Sequence, residues 1–600
     1  MTDRMDSDGR LTRRHMLEIL GAGTAGLAFL SACGTSGGQS KKGPKEFNGA
    51  WPFQVPPNGH FNIIKGVTNG LLQDGIYIDL ITPPLAMYYW KSKKWMPLLA
   101  EKWGFDKSAN TFSVTLKQGL KWSDGKPVTS KDLATTLWCL RIIRNVVWNY
   151  IDTLQTPDSR TLTVHMSTPS TVVERYILKT DVCSNATFGQ WATKAQTLFN
   201  GGGNLDSTEG KALNQGFQNF RPDGVISAGP FNIDPKSITN AQMSLVKNPT
   251  GLNADKVLFD KIVLYNGETP VVTPIVLDKK VDYATHGFPP ATAQQFVQEG
   301  IRVLRPPVYS GYGMYINIGK LTEFQDKRAR QALAYAVDRN ESATVTMGKS
   351  AKPVKYMTGF SDLQVPDWLS QSDIHKLNTY AHDTDKATQL LQAAGWKKSG
   401  SQWMTPSGQP AQYEMIFPAE YADTSASGQN WAEQLGRFGI KVTPRSLTFT
   451  QHPIEMDKGN FQFAAQGWGS SSSPHPHFAY VTDLFTYNYV IAANQGGRGM
   501  DFSLKQTTDA LGAVDLEKLV VNAPLGLDES AQKKNVTQIA IAYNELLPNL
   551  PLSERYGDNP ALEHVRVQGW PADSDPILQN APYGDNFTIM LMYSGALKPV

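Results

Sequence analysis

The segment 467–478, GWGSSSSPHPHF, gathers an indole, four hydroxyls and two imidazoles in a short stretch of chain. The flat face of Trp468 can stack on a ligand. Ser470, Ser471, Ser472 and Ser473 offer hydroxyls that both donate and accept. Other chemistries fail on spacing. His475 and His477 flank Pro476 without the further ligands a stable metal site needs. The run reads as a solvent-facing loop, and no metal is expected. The serines have no base partner visible in sequence, and no Gly-x-Ser-x-Gly turn stands out. In GYGMYINIGK (311–320) the glycines are misplaced for a phosphate loop, and Leu321 stands where a hydroxyl is required. The ten histidines show no His-Glu-x-x-His spacing. These residue types point to binding rather than turnover, so neither an enzyme nor a cofactor is expected.

Cys33 carries a different chemistry. Arg13 and Arg14 precede an apolar stretch over 19–30, and Leu30-Ser31-Ala32 leads directly into the cysteine. An arginine pair, a short apolar core and small residues before a cleavage point make an export signal. The stretch is too short to span a bilayer of roughly 30 Å. Leu-Ser-Ala-Cys resembles the bacterial lipobox, in which cleavage leaves a lipid-modified cysteine at the new N-terminus. Residues 1–32 are therefore expected to be a twin-arginine lipoprotein signal. The mature protein is expected to be held at the cell membrane on its extracytoplasmic face. Of the three cysteines, only Cys139 and Cys183 then remain. They pair in an oxidising compartment or stay buried and free; the reading leans to free.

The chain must position these residues with several folded bodies. Its 600 residues exceed what one core supports. Apolar residues make up 40% and charged residues 18%, which suits a folded chain and excludes a disordered one. A net charge of +3 without a dense Lys/Arg block gives nucleic-acid binding little support. Residues 33–45, rich in Gly, Ser and Lys, read as a flexible tether. Beyond them strands and helices interleave, so the class is α/β. Phe112, Val114 and Leu116 share one face of a strand, as do Leu162, Val164 and Met166. Thr129 with Asp132 caps a helix whose buried stripe is Leu133, Leu137 and Leu140. Helices are predicted over 326–339, over 384–394 with Gly395 as its left-handed cap, and over 530–547.

Seven segments stand in an order that resembles the family 5 extracellular solute-binding proteins, the oligopeptide- and dipeptide-binding components of ABC importers. PLLAEKWGFDKSANTFSVTLKQGLKWSDGKPVTSKDL (97–133) is similar to the family's signature region. SAGPFNI (227–233), LVKNPTGLNADKVLFDKIVLYN (245–266) and GYGMYINIGKLTEFQDKRARQALAYAVDR (311–339) follow. ATQLLQAAGW, WAEQLGRFGIKV and GNFQFAAQGWG complete the series. The resemblance implies two α/β lobes joined by a hinge, with an additional domain inserted in the first. Lobe I would take 46–85, 186–308 and 569–600, the additional domain 86–185, and lobe II 309–568. It also implies capture of an oligopeptide-type solute by hinge closure and its delivery to ABC permease subunits, with a monomer expected.

The same resemblance marks departures. In relatives that take peptides, a Gly-Trp pair is followed three residues later by an aspartate that meets the ligand ammonium. Here Gly467 and Trp468 are followed by Ser471, and Ala465 and Gln466 stand where an arginine often precedes the pair. An enclosed ammonium without a counter-charge costs several kcal/mol, against about 1 kcal/mol from a serine hydroxyl. Either another acid reaches the pocket, with Asp457 and Asp483 as candidates, or the ligand is an oligosaccharide or other neutral solute. A surface sensor without transport is a third reading. The candidate ligand-binding residues are Gly467, Trp468, Ser470 and Ser471, with Tyr315 and Asn317 near the hinge side of lobe II. Trp148 and Tyr150 come from the additional domain.

Overall fold

A computed structural model describes residues 45–64, 70–72, 75–492 and 497–600. The signal segment, Cys33 and nearly all of the tether lie outside the described residues.

Apolar side chains gather into two large cores. The first draws on Phe47 through Leu304 and again on Ala561 through Leu597. The second runs from Tyr312 to Leu552. A small satellite cluster around Val272, Val276 and Phe296 packs beside the first. The chain therefore passes between the two large cores twice, between Leu304 and Tyr312 and between Leu552 and Ala561. Strands Arg302–Leu304 and Asn559–Ala561 pair antiparallel at these crossings, which holds them side by side. Residues 86–185 contribute to the first core continuously with their flanks.

The first core carries two four-stranded sheets. In one, Glu46–Ala50 pairs parallel with Lys261–Tyr265, followed by Gln242–Lys247 and Phe231–Asp234. In the other, Ala100–Asp106, Thr111–Leu116, Thr161–His165 and Thr153–Gln155 are antiparallel. Phe112, Val114 and Leu116 are buried as the alternation requires. Helix Ser130–Ile142 starts where the Asp132 carboxylate accepts the backbone N–H of Thr129 at 2.8 Å. Cys139 and Cys183 are both free and buried.

The second core is built on a six-stranded mixed sheet in the order Ala351–Pro353, Leu550–Tyr556, Pro307–Ile316, Phe463–Gly469, Gln412–Pro418, Lys441–Leu447. The Phe463–Gly469 strand and its neighbour Pro307–Ile316 carry the predicted site residues in register, with Gly467 opposite Tyr312 and Trp468 opposite Gly311. Helix Ala422–Phe438 crosses between the last two parallel strands and ends at Gly439 in the left-handed region, φ 103°. One helix expectation changes. The helix predicted over 326–339 forms over Lys327–Ala336, and a second helix, Arg339–Thr346, begins where the first was expected to end. Val337 is extended, and the Asp338 side chain accepts the N–H groups of Asn340 and Glu341. That N-cap starts the second helix.

Candidate functional site

Two chambers draw their linings from both core regions, and the serine run contributes Ser471 to one and Ser473 to the other. The inner chamber, about 400 Å³, is lined from the first core side by Trp51, Glu268, His286, Gly287 and Tyr583, and from the second by Tyr312, Tyr421, Asp423, Ser471 and Arg555. The outer chamber, about 560 Å³, holds Tyr88, Trp90, Trp95, Tyr309 and Trp368 together with Arg175, Glu174 and the amides of Gln364, Gln532 and Gln579.

Charge in the inner chamber is closely partnered. Asp423 lies in the first turn of helix Ala422–Phe438, a favourable place for a carboxylate. Its Oδ2 is 3.1 Å from Nη2 of Arg555 and accepts the Tyr312 hydroxyl at 2.8 Å. Its Oδ1 accepts the N–H of Thr424 at 2.9 Å. Arg555 comes from the Leu550–Tyr556 strand, and its guanidinium stands 5.5 Å and 5.7 Å from the ring centres of Tyr312 and Tyr583. The carboxylate rests directly on Gly287 across the interface. A Cβ there would lie 2.0 Å from Asp423 Oδ2, so only glycine admits this approach. Glu268 stands at the N-cap position of helix Thr269–Leu277, and its side chain makes no capping hydrogen bond. Burial pushes its carboxyl up to about 8, the charges of Asp423 and Glu420 add to this, and Arg555 opposes it.

The outer chamber is aromatic. Trp90 stacks on Tyr309 at 4.3 Å, and Trp368 meets His475 at 4.4 Å. Arg175 pairs with the fully buried Asp585 at 2.9 Å and lies 5.5 Å from the Trp95 ring centre. Asp585 also accepts the Trp90 indole N–H and the Tyr88 backbone N–H, each at 2.8 Å. Arg175 donates in addition to the backbone carbonyl of Ser472, so the serine run is tied to the first core. Tyr309 donates to the carbonyl of Gln579 at 2.7 Å.

The structure places the sequence-derived candidates unevenly. Ser471 lines the inner chamber. Gly467 and Ser470 are half-buried nearby, with Ser470 Oγ 2.7 Å from Ser472 Oγ. Trp468 lines neither chamber: it is 1% exposed, packed in the second core, and its indole N–H donates to the Ser553 carbonyl at 3.1 Å. Tyr315 is buried and donates to Asp483 at 2.9 Å. Asn317 is buried and donates to the Gly459 carbonyl at 2.8 Å. Trp148 donates to the Leu137 carbonyl under the guanidinium of Arg141. Tyr150 is 1% exposed and reaches His477 at 3.3 Å.

The expected solvent-facing histidine loop is corrected. His477 is buried between Tyr150, Tyr176 and the Val520 carbonyl. Its Nδ1–H donates to that carbonyl, so Nε2 accepts the tyrosine hydroxyls, and burial pushes the ring's pKa down to about 4. Packing of the two cores encloses what the Pro-flanked sequence left open. Among the described residues no three His, Cys, Asp or Glu side chains gather as a metal site.

Neither acid proposed by proximity in sequence reaches a chamber. Asp483 is fully buried behind the Gly-Trp strand, accepting from Gly469 N–H, Tyr315 and Tyr543. Asp457 lines neither chamber. The acids lining the inner chamber are Asp423 and Glu268, and with Arg555 they are the residues sequence reasoning missed. Glu268 and Asp423 are legible only as helix starts, and nothing around Arg555 marks it.

Two α/β bodies, joined by paired crossings, face each other across charged and aromatic chambers, the kind of interface at which ligand sites are ordinarily found. The model of the bacterial extracellular solute-binding proteins, family 5 Middle, matches residues 94–489, and the chain belongs to that family. It is a family of binding proteins, not of enzymes. The oligopeptide-binding protein OppA of Lactococcus lactis subsp. cremoris is 23% identical over 390 residues, covering 56% of this chain and 58% of the relative. The chain thus spans about 58–62% of the curated relatives it matches. A Thermotoga maritima periplasmic oligopeptide-binding protein, solved with mannohexaose, has a TM-score of 0.71 at 18% identity, covering 93% of this chain and 99% of that one. AppA of Bacillus subtilis, solved with a nonapeptide, has a TM-score of 0.68 at 16% identity, covering 92% and 99%. Both likenesses show the two-lobe fold. Among the described residues no helix is long and apolar enough to cross a membrane.

Proposed function

We propose that this protein is the lipid-anchored solute receptor of an ABC importer, that it captures an oligopeptide-type solute between its lobes, and that it hands the solute unaltered to the permease. One observation carries the reading: an acid-and-arginine cluster, Glu268, Asp423 and Arg555, lines a chamber between the two cores, beside an aromatic chamber with room for further residues. Ligand sites favour such interfaces, and hinge closure is the motion two-lobe binding proteins use. The names of the Lactococcus and Bacillus relatives support a peptide. A second reading, an oligosaccharide, draws on the outer chamber, where Trp90, Trp95 and Trp368 stand among three glutamine amides. The mannohexaose complex of the Thermotoga relative supports it.

Native mass spectrometry of the protein purified from its exporting cell tests the reading. A co-purifying peptide is expected. An oligosaccharide selects the second reading. A preparation that carries neither, and takes up neither a random pentapeptide pool nor mannohexaose, overturns the receptor. For the anchor, two acyl chains at Cys33 would hold stably where one would be marginal. Cys33→Ala is expected to release the protein into the medium, and retention at the membrane refutes the anchor.

A further inference from the structure

The inner chamber contains two buried polar atoms with no hydrogen-bond partner among the described residues. Oε1 of Glu268 is buried and has no hydrogen-bond partner. His286 is 6% exposed, and its Nε2 lies 2.9 Å from the carbonyl of Gly267. A carbonyl only accepts, so Nε2 carries the proton and Nδ1 is left with a lone pair. That Nδ1 is also unpartnered. Both side chains line the same cavity. Buried acceptors are ordinarily satisfied, and two left open in one chamber between lobes call for a ligand that donates.

The other charges facing this point are already engaged. Arg555 is paired with Asp423, which also accepts the Tyr312 hydroxyl. Glu420, on the segment leading into the second core's helix, accepts the backbone N–H of Phe449 at 2.9 Å. The Tyr583 hydroxyl donates to the carbonyl of Thr285 at 3.0 Å. Tyr421 adds a phenol near Glu268, and no charge at neutral pH. Glu268 is left as the lining carboxyl without a cation.

We infer that the inner chamber takes the ammonium of an amine-bearing solute, with Glu268 of the first lobe as counter-charge and His286 as a second acceptor. The inference rests on the reading that the solute binds between the lobes, and it deepens that reading. The cation–carboxylate pair is supplied from the lobe opposite to the Gly-Trp strand, where Ser471 offers no charge. Before capture Glu268 is protonated near neutrality, because burial pushes its carboxyl up to about 8. Burial pushes His286 down to about 4, so its ring stays a neutral acceptor. An arriving ammonium stabilises the carboxylate, and the carboxyl proton leaves to solvent. A sugar hydroxyl could satisfy His286 but would leave Glu268 protonated.

Calorimetry at pH 6.5 in two buffers of different protonation enthalpy counts that proton. The probes are a random pentapeptide pool with free amino termini, the same pool N-acetylated, and mannohexaose. About one proton released per peptide is expected, with affinity rising about tenfold from pH 6 to pH 7, the slope of a single linked proton. The acetylated pool should bind at least about tenfold more weakly, the loss of one ionic contact. Glu268→Gln should abolish proton release and flatten the pH dependence, while Glu268→Asp should keep both. Peptide capture without proton release, or a Glu268→Gln variant with unchanged linkage, overturns the inference. Capture of mannohexaose alone overturns it and leaves solute capture standing. Failure of all three probes overturns both.

Discussion

Replacing Trp468 with alanine separates a core residue from a ligand wall. The indole sits on the Phe463–Gly469 strand and is 1% exposed. Its contacts belong to neighbouring strands of one sheet. The indole N–H donates to Ser553, and a Cβ on Gly313 would lie 3.2 Å from its Cδ1. Its burial therefore does not depend on closure of the lobes. A tryptophan side chain buries roughly 150–250 Å², which at about 25 cal/mol per Å² gives about 4–6 kcal/mol as an upper bound. Core Trp→Ala changes cost about 3–5 kcal/mol once partial collapse of the cavity is allowed. Equilibrium urea denaturation, followed by circular dichroism, should show a loss in that range. Below the transition the variant should keep its solute, because the indole lines neither chamber. A loss of stability under about 1 kcal/mol, together with abolished capture, would refute this placement and return Trp468 to the ligand.

Two further outcomes follow from buried charge. Asp585→Asn removes the only carboxylate within ion-pair reach of Arg175 among the described residues, and leaves a guanidinium 7% exposed. It should lower stability by about 3–5 kcal/mol and weaken solute capture, since Arg175 also ties down Ser472; an unchanged melting temperature refutes it. Asp483 is pushed up to about 6 by burial, against the bonds from Tyr543, Gly469 and Tyr315. A carboxyl whose folded pKa is raised stabilises the fold below its unfolded pKa, and that stability is lost as pH rises through the folded value. Wild type should lose about 3 kcal/mol from this group between about pH 3 and pH 7. Asp483→Asn should lack that part of the slope, and parallel pH–stability curves refute it.

What local chemistry fixes was legible in the chain. The alternation of Phe112, Val114 and Leu116 became a strand with that face buried, and Thr129 with Asp132 became a capped helix start. Gly395 and Gly439 took the left-handed turns that end helices. The ordered segments led to the right family, because such patterns act over a few residues and survive without tertiary context. The helix predicted over 326–339 formed but ended at Ala336, ahead of Asp338, a residue that suits a helix interior poorly and an N-cap well; spacing alone could not choose between the two.

The chambers needed the folded chain. Glu268, Asp423 and Arg555 stand far apart in sequence, and they meet because the chain crosses twice between two cores. Gly287 yields the space that lets Asp423 touch the first core. Trp468 and Ser471 are three residues apart, yet one packs into a sheet and the other lines the inner chamber. Residue types and spacing state what a side chain can do. Which side of a sheet it occupies, and what meets it from the opposite lobe, are long-range outcomes of packing, and only the tertiary structure decided them.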